Sequence, residues 1–133
     1  MPMSSFERLH PLLRHHIVNS LGWSSLRPLQ ERSIDSILDG SHCLLIAPTA
    51  GGKTEAAVFP ILSQLLAEPQ TGFTVLYVCP LRALLNNLYE RLEGYCSMVG
   101  LRAGLWHGDV SAHHRRKLIN DPPHILLTTP ESL

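Results

Sequence analysis

The stretch Ile46–Thr54, with the sequence IAPTAGGKT, indicates the fold of this chain. It follows the short apolar run Cys43–Ile46, which predicts a buried strand, and it precedes Glu55–Phe59, which predicts the start of a helix. A strand, a glycine-bearing loop that ends in Lys-Thr, and a helix form the context of a phosphate-binding loop. A Gly-Gly turn with a solvated lysine is the alternative. The loop departs from the usual pattern at its first position, where Ala47 replaces glycine.

The chemistry of such a loop assigns a role to each of its residues. The first amides of a helix lack intrahelical partners and carry about half a positive charge, so they attract phosphate. Glycine has no Cβ and lets the backbone approach a polyphosphate closely. We expect Lys53 to lie over the β- and γ-phosphates and the Thr54 hydroxyl to ligate Mg²⁺. The predicted phosphate contacts are Pro48, Thr49, Ala50, Gly51, Gly52, Lys53 and Thr54.

Composition limits the class of protein. The chain has 133 residues, 44% of them hydrophobic, which is enough for one domain with a core. It has 11 basic and 11 acidic residues, so any binding to nucleic acid must come from a local surface. No apolar run is long enough to span a bilayer, and the first residues lack a signal layout, which favours a cytoplasmic protein with no membrane partner. The cysteines lack metal-like spacing, and Cys43 and Cys79 are expected to be buried thiols in a reducing cytoplasm.

Predicted strands and helices alternate along most of the chain. We expect helices at about residues 6–21 (in one piece or broken at Pro11), from 28 to the Asp39-Gly40 stop, at 53–67 (bent at Pro60), 81–99 and 111–120, and the start of another at 129–132. Strands are expected at residues 43–46, 73–78, 102–106 and 124–128. This alternation implies an α/β fold, with right-handed crossovers and a mostly parallel sheet that has helices on both faces. The loop 68–72 does not resemble an interdomain linker, so a single unit is expected.

Four connections lead from a strand to a helix. They are Ala47–Thr49, Cys79–Arg82, Trp106–Asp109 and Thr128–Glu131. Parallel α/β sheets bind ligands outside the carboxyl ends of their strands, so all four connections are expected on the same side of the sheet.

The ordered series of motifs resembles the first RecA-like motor domain of a superfamily 2 helicase of the DEAD/DEAH-box type. Leu26–Gln30 (LRPLQ) resembles the adenine-recognising segment, and Ala47–Thr54 resembles motif I. Cys79–Leu84 resembles motif Ia, and Thr129–Leu133 resembles motif Ib. Trp106–Asp109 matches the glycine-aspartate segment that is often found between the last two. The sequences of motifs Ia and Ib are most similar to those of Lhr-like helicases, followed by Ski2-like enzymes. The Arg-Pro-x-Gln spacing and the Gly-Gly-Lys run also resemble RecQ-like helicases.

The resemblance implies two binding sites. ATP would place its adenine at Gln30 and Arg27, with Mg²⁺ on Thr54. Single-stranded or duplex nucleic acid, DNA or RNA, would contact Pro80, Arg82, Ala83, His107, Gly108, Thr129, Pro130 and Glu131. For His107, packing at a strand end is an equal alternative. The basic residues Arg115, Arg116 and Lys117 either widen this surface or form an ordinary solvated helix face.

The resemblance also implies what this chain lacks. Residues 1–133 would form the N-terminal portion of a RecA-like P-loop NTPase domain that is incomplete at its C-terminus, with a helical lead-in at about residues 1–40. Hydrolysis in this class requires a carboxylate on Mg²⁺ and a base, and no Asp-Glu pair occurs in the sequence. Lys53 and Thr54 are therefore only part of a catalytic set, and the remainder of the helicase polypeptide is an expected partner. We expect the parent protein to be an ATP-hydrolysing helicase or translocase and this chain alone not to hydrolyse ATP.

Two other readings stay open, namely another P-loop enzyme such as a kinase, and a non-catalytic nucleotide-binding or interaction module. Ala50 adds one question, because many superfamily members have glycine there. If this position requires a positive φ, alanine costs roughly 1 kcal/mol or more. We expect Gly51 to take over the turn.

Overall fold

The computed structural model describes residues 3–133, which form five α-helices and three β-strands. The helices are α1 (Pro11–Asn19), α2 (Pro28–Leu38), α3 (Lys53–Ala67), α4 (Arg82–Met98) and α5 (Ala112–Asn120). The strands are β1 (Val75–Val78), β2 (Ala103–Trp106) and β3 (Ile125–Thr128), and short 3₁₀ turns cover Phe6–Arg8 and Pro130–Ser132. The chain divides into two compact units, one ending at Pro69 and one beginning at Gln70, where the sequence indicated a single unit.

The first unit is helical. Proline stands at the start of both α1 and α2, where its fixed φ suits the first helical turn and its missing N–H costs nothing. Of the two alternatives for residues 6–21, the segment broken at Pro11 is therefore the one observed. Helices α1 and α2 both pack against α3, which continues through Pro60. The buried apolar side chains of this unit are Leu9, Leu13, Ile17, Ile34, Ala56, Val58, Phe59, Leu62 and Leu65.

The prediction of a buried strand at Cys43–Ile46 is wrong. This segment has no regular secondary structure, and the side chains of Leu44 and Ile46 are 82% and 79% exposed. A strand is stabilised by ladder hydrogen bonds to a neighbour, and no part of residues 3–133 pairs with this segment. The expectation of a buried Cys43 thiol fails for the same reason, because Cys43 is exposed, whereas Cys79 is partly buried.

The second unit contains the sheet. All three strands are parallel, in the spatial order β1-β3-β2. The first crossover moves two strand positions across the sheet and the second moves back by one, so right-handed connections place their two helices on opposite faces. Helix α4 packs against β2 and β3. Leu118 of α5 lies close to Gly104 on the other face. The parallel sheet with helices on both faces is confirmed.

The two faces of the sheet differ in burial. Ile125 and Leu127 point to the same face by alternation and are fully buried. On the opposite face Leu76 and Val78 of β1 remain exposed. The buried apolar side chains of this unit are Leu85, Leu92, Cys96, Val99, Leu101, Ala103, Ile125 and Leu127. Within residues 3–133, none of the helices combines the length and apolar character that crossing a lipid bilayer requires.

Three of the four strand-to-helix connections meet at one edge of the sheet. The register aligns Val78 and Trp106 with Thr128 between them. The residues that follow these positions therefore leave the sheet at the same edge. This outcome confirms the prediction for the connections after β1, β2 and β3. Ala47–Thr49 belongs to the first unit, and its placement on that side stays a prediction.

Candidate nucleotide and nucleic-acid sites

The candidate phosphate loop is a tight turn followed by a helix. The Gly51 N–H donates to the Pro48 carbonyl oxygen over 2.9 Å, which closes a four-residue turn. Ala50, the third residue of this turn, adopts a left-handed conformation with φ of 65°, and no other non-glycine residue in residues 3–133 has a positive φ. The expectation that Gly51 takes over the turn is wrong. The third position of such a turn is the one that requires a positive φ, and Gly51 occupies the fourth.

Gly52 links the turn to helix α3. It is the N-cap residue, with φ of 81°, a conformation that only glycine adopts without strain. A Cβ at this position would also lie 2.5 Å from Gln30 Nε2. The close approach of Gln30 to the loop therefore depends on glycine at position 52.

Arg27 and Gln30 contact the carbonyl groups of this loop. The Gln30 Nε2 donates to the Gly52 carbonyl oxygen over 3.3 Å, and its Oε1 accepts the Arg27 backbone N–H over 2.9 Å. The Arg27 guanidinium donates to the Ala50 carbonyl oxygen. Gln30 is only 3% exposed, so its amide is largely committed to these contacts. The family resemblance predicts that both residues contact the nucleotide, but the sequence gave no indication that they also bind the phosphate loop.

Lys53 and Thr54 open helix α3, which is 15 residues long. Lys53 is exposed and Thr54 is partly buried. Gly52 supplies no side-chain cap, so the helix N-terminus remains suited to an anion. Pro48 and Thr49 are exposed on the turn before it. An ammonium group, a hydroxyl and helix N-terminal amides fit a polyphosphate with a hard cation such as Mg²⁺.

Arg82 is the first residue of helix α4, and it forms an ion pair with Asp109. Its Nη1 lies 3.0 Å from Asp109 Oδ2. The guanidinium also lies against Gly108, because a Cβ there would be 2.6 Å from Arg82 Nη2. Pro80 and Ala83, on either side of Arg82, are exposed. Arg82 therefore links the connection after β1 to the connection after β2 by its contacts with Gly108 and Asp109.

His107 is buried, with 4% of its surface exposed. Its Nδ1 accepts the Asp109 backbone N–H over 3.1 Å. A neutral ring in this arrangement carries its proton on Nε2, which faces Asn86 Oδ1 at 3.3 Å. The ring is used within the protein, as the packing alternative for His107 expects. The sequence gave no reason to select Asn86 or Asp109 as its partners.

Arg115 supports the same connection from helix α5. Its Nη2 donates to the His107 carbonyl oxygen over 2.8 Å, and its guanidinium lies 5.3 Å from the centre of the Trp106 ring. Arg116 and Lys117 are exposed. Of the three basic residues, Arg115 therefore has a structural role, because it holds the loop after β2 from helix α5. Helical spacing alone did not distinguish it from its neighbours.

The connection after β3 has a buried beginning and an exposed end. Thr128 and Thr129 are each 1% exposed. The Thr128 hydroxyl donates to the Trp106 carbonyl oxygen over 2.6 Å, and the Thr129 hydroxyl to Ser132 Oγ over 3.3 Å. Pro130 and Glu131 are exposed in a 3₁₀ turn. Of the predicted nucleic-acid contacts, His107 and Thr129 are buried, and the others are exposed.

The sequence of this chain matches one known protein family. The DEAD/DEAH box helicase family matches residues 27–133. This chain belongs to that family. The match begins at Arg27, which contacts the phosphate loop, and it includes all three connections at the carboxyl edge of the sheet. The predicted family and the RecA-like fold class are therefore confirmed.

Several relatives with similar sequences are Lhr helicases. The chain is 33% identical over 129 residues to ATP-dependent helicase Lhr-Core protein 2 of Thermococcus barophilus, covering 84% of this chain and 15% of that protein. It is 40% identical over 121 residues to an Lhr helicase/probable uracil glycosylase of Mycolicibacterium smegmatis, covering 80% of this chain and 8% of that one. The chain therefore spans a small part of the length of these relatives.

A solved helicase structure has the same fold. The structure of Mycobacterium smegmatis helicase Lhr bound to ssDNA and AMP-PNP aligns with a TM-score of 0.83 and 32% identity. The alignment covers 98% of this chain and 18% of the Lhr chain.

Proposed function

We propose that this chain is the ATP-binding and nucleic-acid-binding portion of an ATP-dependent helicase or translocase. The observation that carries the proposal is the hydrogen bond from Gln30 Nε2 to the Gly52 carbonyl oxygen. It joins the segment that resembles an adenine reader to the loop that resembles a phosphate binder. The Lhr structure with AMP-PNP and ssDNA supports both ligands.

The nucleotide site is built from the first unit. The base would lie beside Arg27 and Gln30, and the Gln30 amide would have to release one of its contacts in the chain to bind adenine. Residues Pro48–Lys53 would cradle the phosphates, and Thr54 would ligate Mg²⁺. The Gly51 N–H must leave the Pro48 carbonyl oxygen before it can donate to a phosphate. A phosphate contact from the Gly51 N–H would therefore require this turn to open, whereas the free amides of the first turn of α3 would need no rearrangement.

The nucleic-acid site is built from the second unit. The exposed members are Pro80, Arg82, Ala83, Gly108, Pro130 and Glu131. Arg82 provides a charge-assisted contact to a phosphate, and the start of α4 adds backbone N–H groups. His107 and Thr129 are buried beneath these residues and support the loops that carry them. Such contacts hold the sugar-phosphate backbone and do not read bases, so single strands of DNA and RNA are both ligands.

Hydrolysis requires groups that this sequence does not contain. No Asp-Glu pair is present to hold Mg²⁺ and orient water. Residues 1–133 act as the N-terminal portion of the first RecA-like domain, with the helical segments up to about residue 40 as a lead-in, and further helicase polypeptide completes the catalytic set. The length of the relatives supports this assignment, since the chain covers 15% of the Thermococcus protein. The three free thiols favour a cytoplasmic location.

Substitution of Lys53 tests the nucleotide site. The chain contains two lysines, Lys53 and Lys117, so Lys117→Ala is a matched control. With a fluorescent ATP analogue, Lys53→Ala should weaken binding more than about tenfold, because a charge-assisted phosphate contact is worth about 1.5–3 kcal/mol. Lys117→Ala should leave affinity unchanged. Equal affinities of the unaltered chain and Lys53→Ala would overturn the assignment.

The role of Mg²⁺ is tested by Thr54→Val, which keeps the shape of the side chain and removes the hydroxyl. The unaltered chain should bind the analogue more tightly with Mg²⁺ than without it. Thr54→Val should lose most of this difference while retaining its metal-free affinity. A full response to Mg²⁺ in Thr54→Val would exclude the hydroxyl as a ligand.

A further inference from the structure

The ion pair between Arg82 and Asp109 belongs to the proposed nucleic-acid surface. Its side chains are 49% and 71% exposed, so both are open to solvent and to a ligand. Asp109 presents one carboxylate oxygen to Nη1, and the missing Cβ of Gly108 allows the guanidinium to approach the loop closely. Arg82 is thereby held in place before any ligand arrives.

A carboxylate and a phosphate offer the same chemistry to arginine. Both present anionic oxygens to the planar set of N–H donors, and both are bound through charge-assisted hydrogen bonds. An exposed pair between arginine and a carboxylate is weak, because water and salt screen it. A phosphate can therefore replace the Asp109 carboxylate without a large penalty.

We infer that Asp109 occupies the Arg82 guanidinium in the free chain and is exchanged for a backbone phosphate when a nucleic-acid strand binds. The inference rests on the proposed function of this surface. Asp109 acts through Arg82 and is a positioning residue that lowers strand affinity. Its backbone N–H is fixed by His107, so the carboxylate stays beside Arg82 and the exchange remains reversible.

The direct test is Asp109→Asn, measured with a fluorescein-labelled single-stranded oligonucleotide at low salt. This substitution should tighten binding by about 1.5- to 5-fold, the range that corresponds to an exposed ion pair. Asp121→Asn is the matched control, because Asp121 also pairs with an exposed arginine of the same unit, Arg102, at 2.9 Å. It makes the same change in net charge away from Arg82. Asp109→Glu, which keeps the charge, should bind like the unaltered chain.

A double-mutant cycle separates exchange at Arg82 from general repulsion. In an Arg82→Ala background, Asp109→Asn should give no more gain than Asp121→Asn does. A gain that persists without Arg82, or equal gains for Asp109→Asn and Asp121→Asn, would overturn the inference while leaving the nucleic-acid site intact. No binding by the unaltered chain, or no loss on Arg82→Ala, would overturn the proposed nucleic-acid site and the inference with it.

Discussion

The Arg27 guanidinium donates a hydrogen bond to the carbonyl oxygen of Ala50, the residue on which the phosphate loop turns. Gln30, three residues further along, makes the corresponding contact to Gly52. Two consecutive bends of the loop are therefore tied to the start of helix α2. The segment that resembles an adenine reader also sets the shape of the phosphate loop.

Replacing Ala50 with glycine should stabilise the first unit. The left-handed conformation costs a non-glycine residue roughly 1–2 kcal/mol, whereas glycine adds roughly 0.4–1 kcal/mol of unfolded-chain entropy. The strain is the larger effect, so we expect Ala50→Gly to raise the free energy of unfolding by roughly 0.5–1 kcal/mol in urea titrations. Ala57→Gly, within helix α3, should have the opposite sign. A destabilised Ala50→Gly would mean that the turn is not strained.

Loss of the Gln30 amide donor should destabilise the first unit. Gln30→Glu keeps an acceptor for the Arg27 N–H but turns a carboxylate oxygen toward the Gly52 carbonyl. Because the site is buried, we expect a loss of about 1–3 kcal/mol in unfolding free energy, together with weaker nucleotide binding. The adjacent change Glu31→Gln, on an exposed side chain, should stay within about 0.5 kcal/mol. Similar stability of the two variants would remove Gln30 from its structural role.

Arg82 should affect strand binding and leave nucleotide binding unchanged. Arg82→Ala removes one phosphate contact, so affinity for a single-stranded oligonucleotide should fall and the slope of log K against log salt should decrease by about 0.7. Arg116→Ala, on an exposed arginine of helix α5, is the control for lost charge. Nucleotide affinity of Arg82→Ala should equal that of the unaltered chain. A selective loss of nucleotide binding would show that the loop is misassigned.

Alkaline pH should destabilise the second unit through Cys96. Burial, with a smaller contribution from Glu93, raises the pKa of the Cys96 thiol from 9.0 to about 12. Because the folded pKa is the higher one, the stabilising contribution is complete below pH 9 and is lost as the pH rises toward 12. Unfolding free energy should therefore fall over this range by up to about 1.4 kcal/mol per pH unit.

The control for this titration is Cys96→Ala. Its absolute stability should be lower because of the cavity, but its pH slope should be shallower than that of the unaltered chain. Tyr89, whose pKa is raised mainly by burial and to smaller extents by Glu93 and Cys96, titrates in both proteins, so only the Cys96 part of its pKa shift differs between them. Identical slopes would exclude Cys96 as the source. At pH 8, a thiol reagent should label exposed Cys43 well before Cys96.

Local signals in the sequence located the helices well. Proline at a first turn and the apolar spacing after it describe α2, and the loop before Lys53 marks the start of α3, because these signals depend on neighbours a few residues away. The segment Cys43–Ile46 has the composition of a strand, but it does not form one. A strand also needs a partner elsewhere in the chain, and composition carries no information about that partner.

The candidate sites were predicted as residue sets and not as contacts. Arg82 and Asp109 lie 27 positions apart, and no pattern in the sequence joins them. The buried state of His107, in the loop after β2, follows from its contacts with Asn86 of helix α4 and Arg115 of helix α5. Family motifs identify the loops that meet at the sheet edge, but the division of each loop into exposed and buried members depends on tertiary packing.

Gly104 lies where the middle of β2 meets helix α5. A Cβ there would be 2.7 Å from Leu118 Cδ2 and 2.7 Å from Pro123 Cγ. The space at these three positions is shared, so a larger residue at 104 requires a smaller one opposite. Among homologous sequences we therefore expect compensating changes in size at positions 104, 118 and 123, a covariation that reflects close packing and not ligand binding.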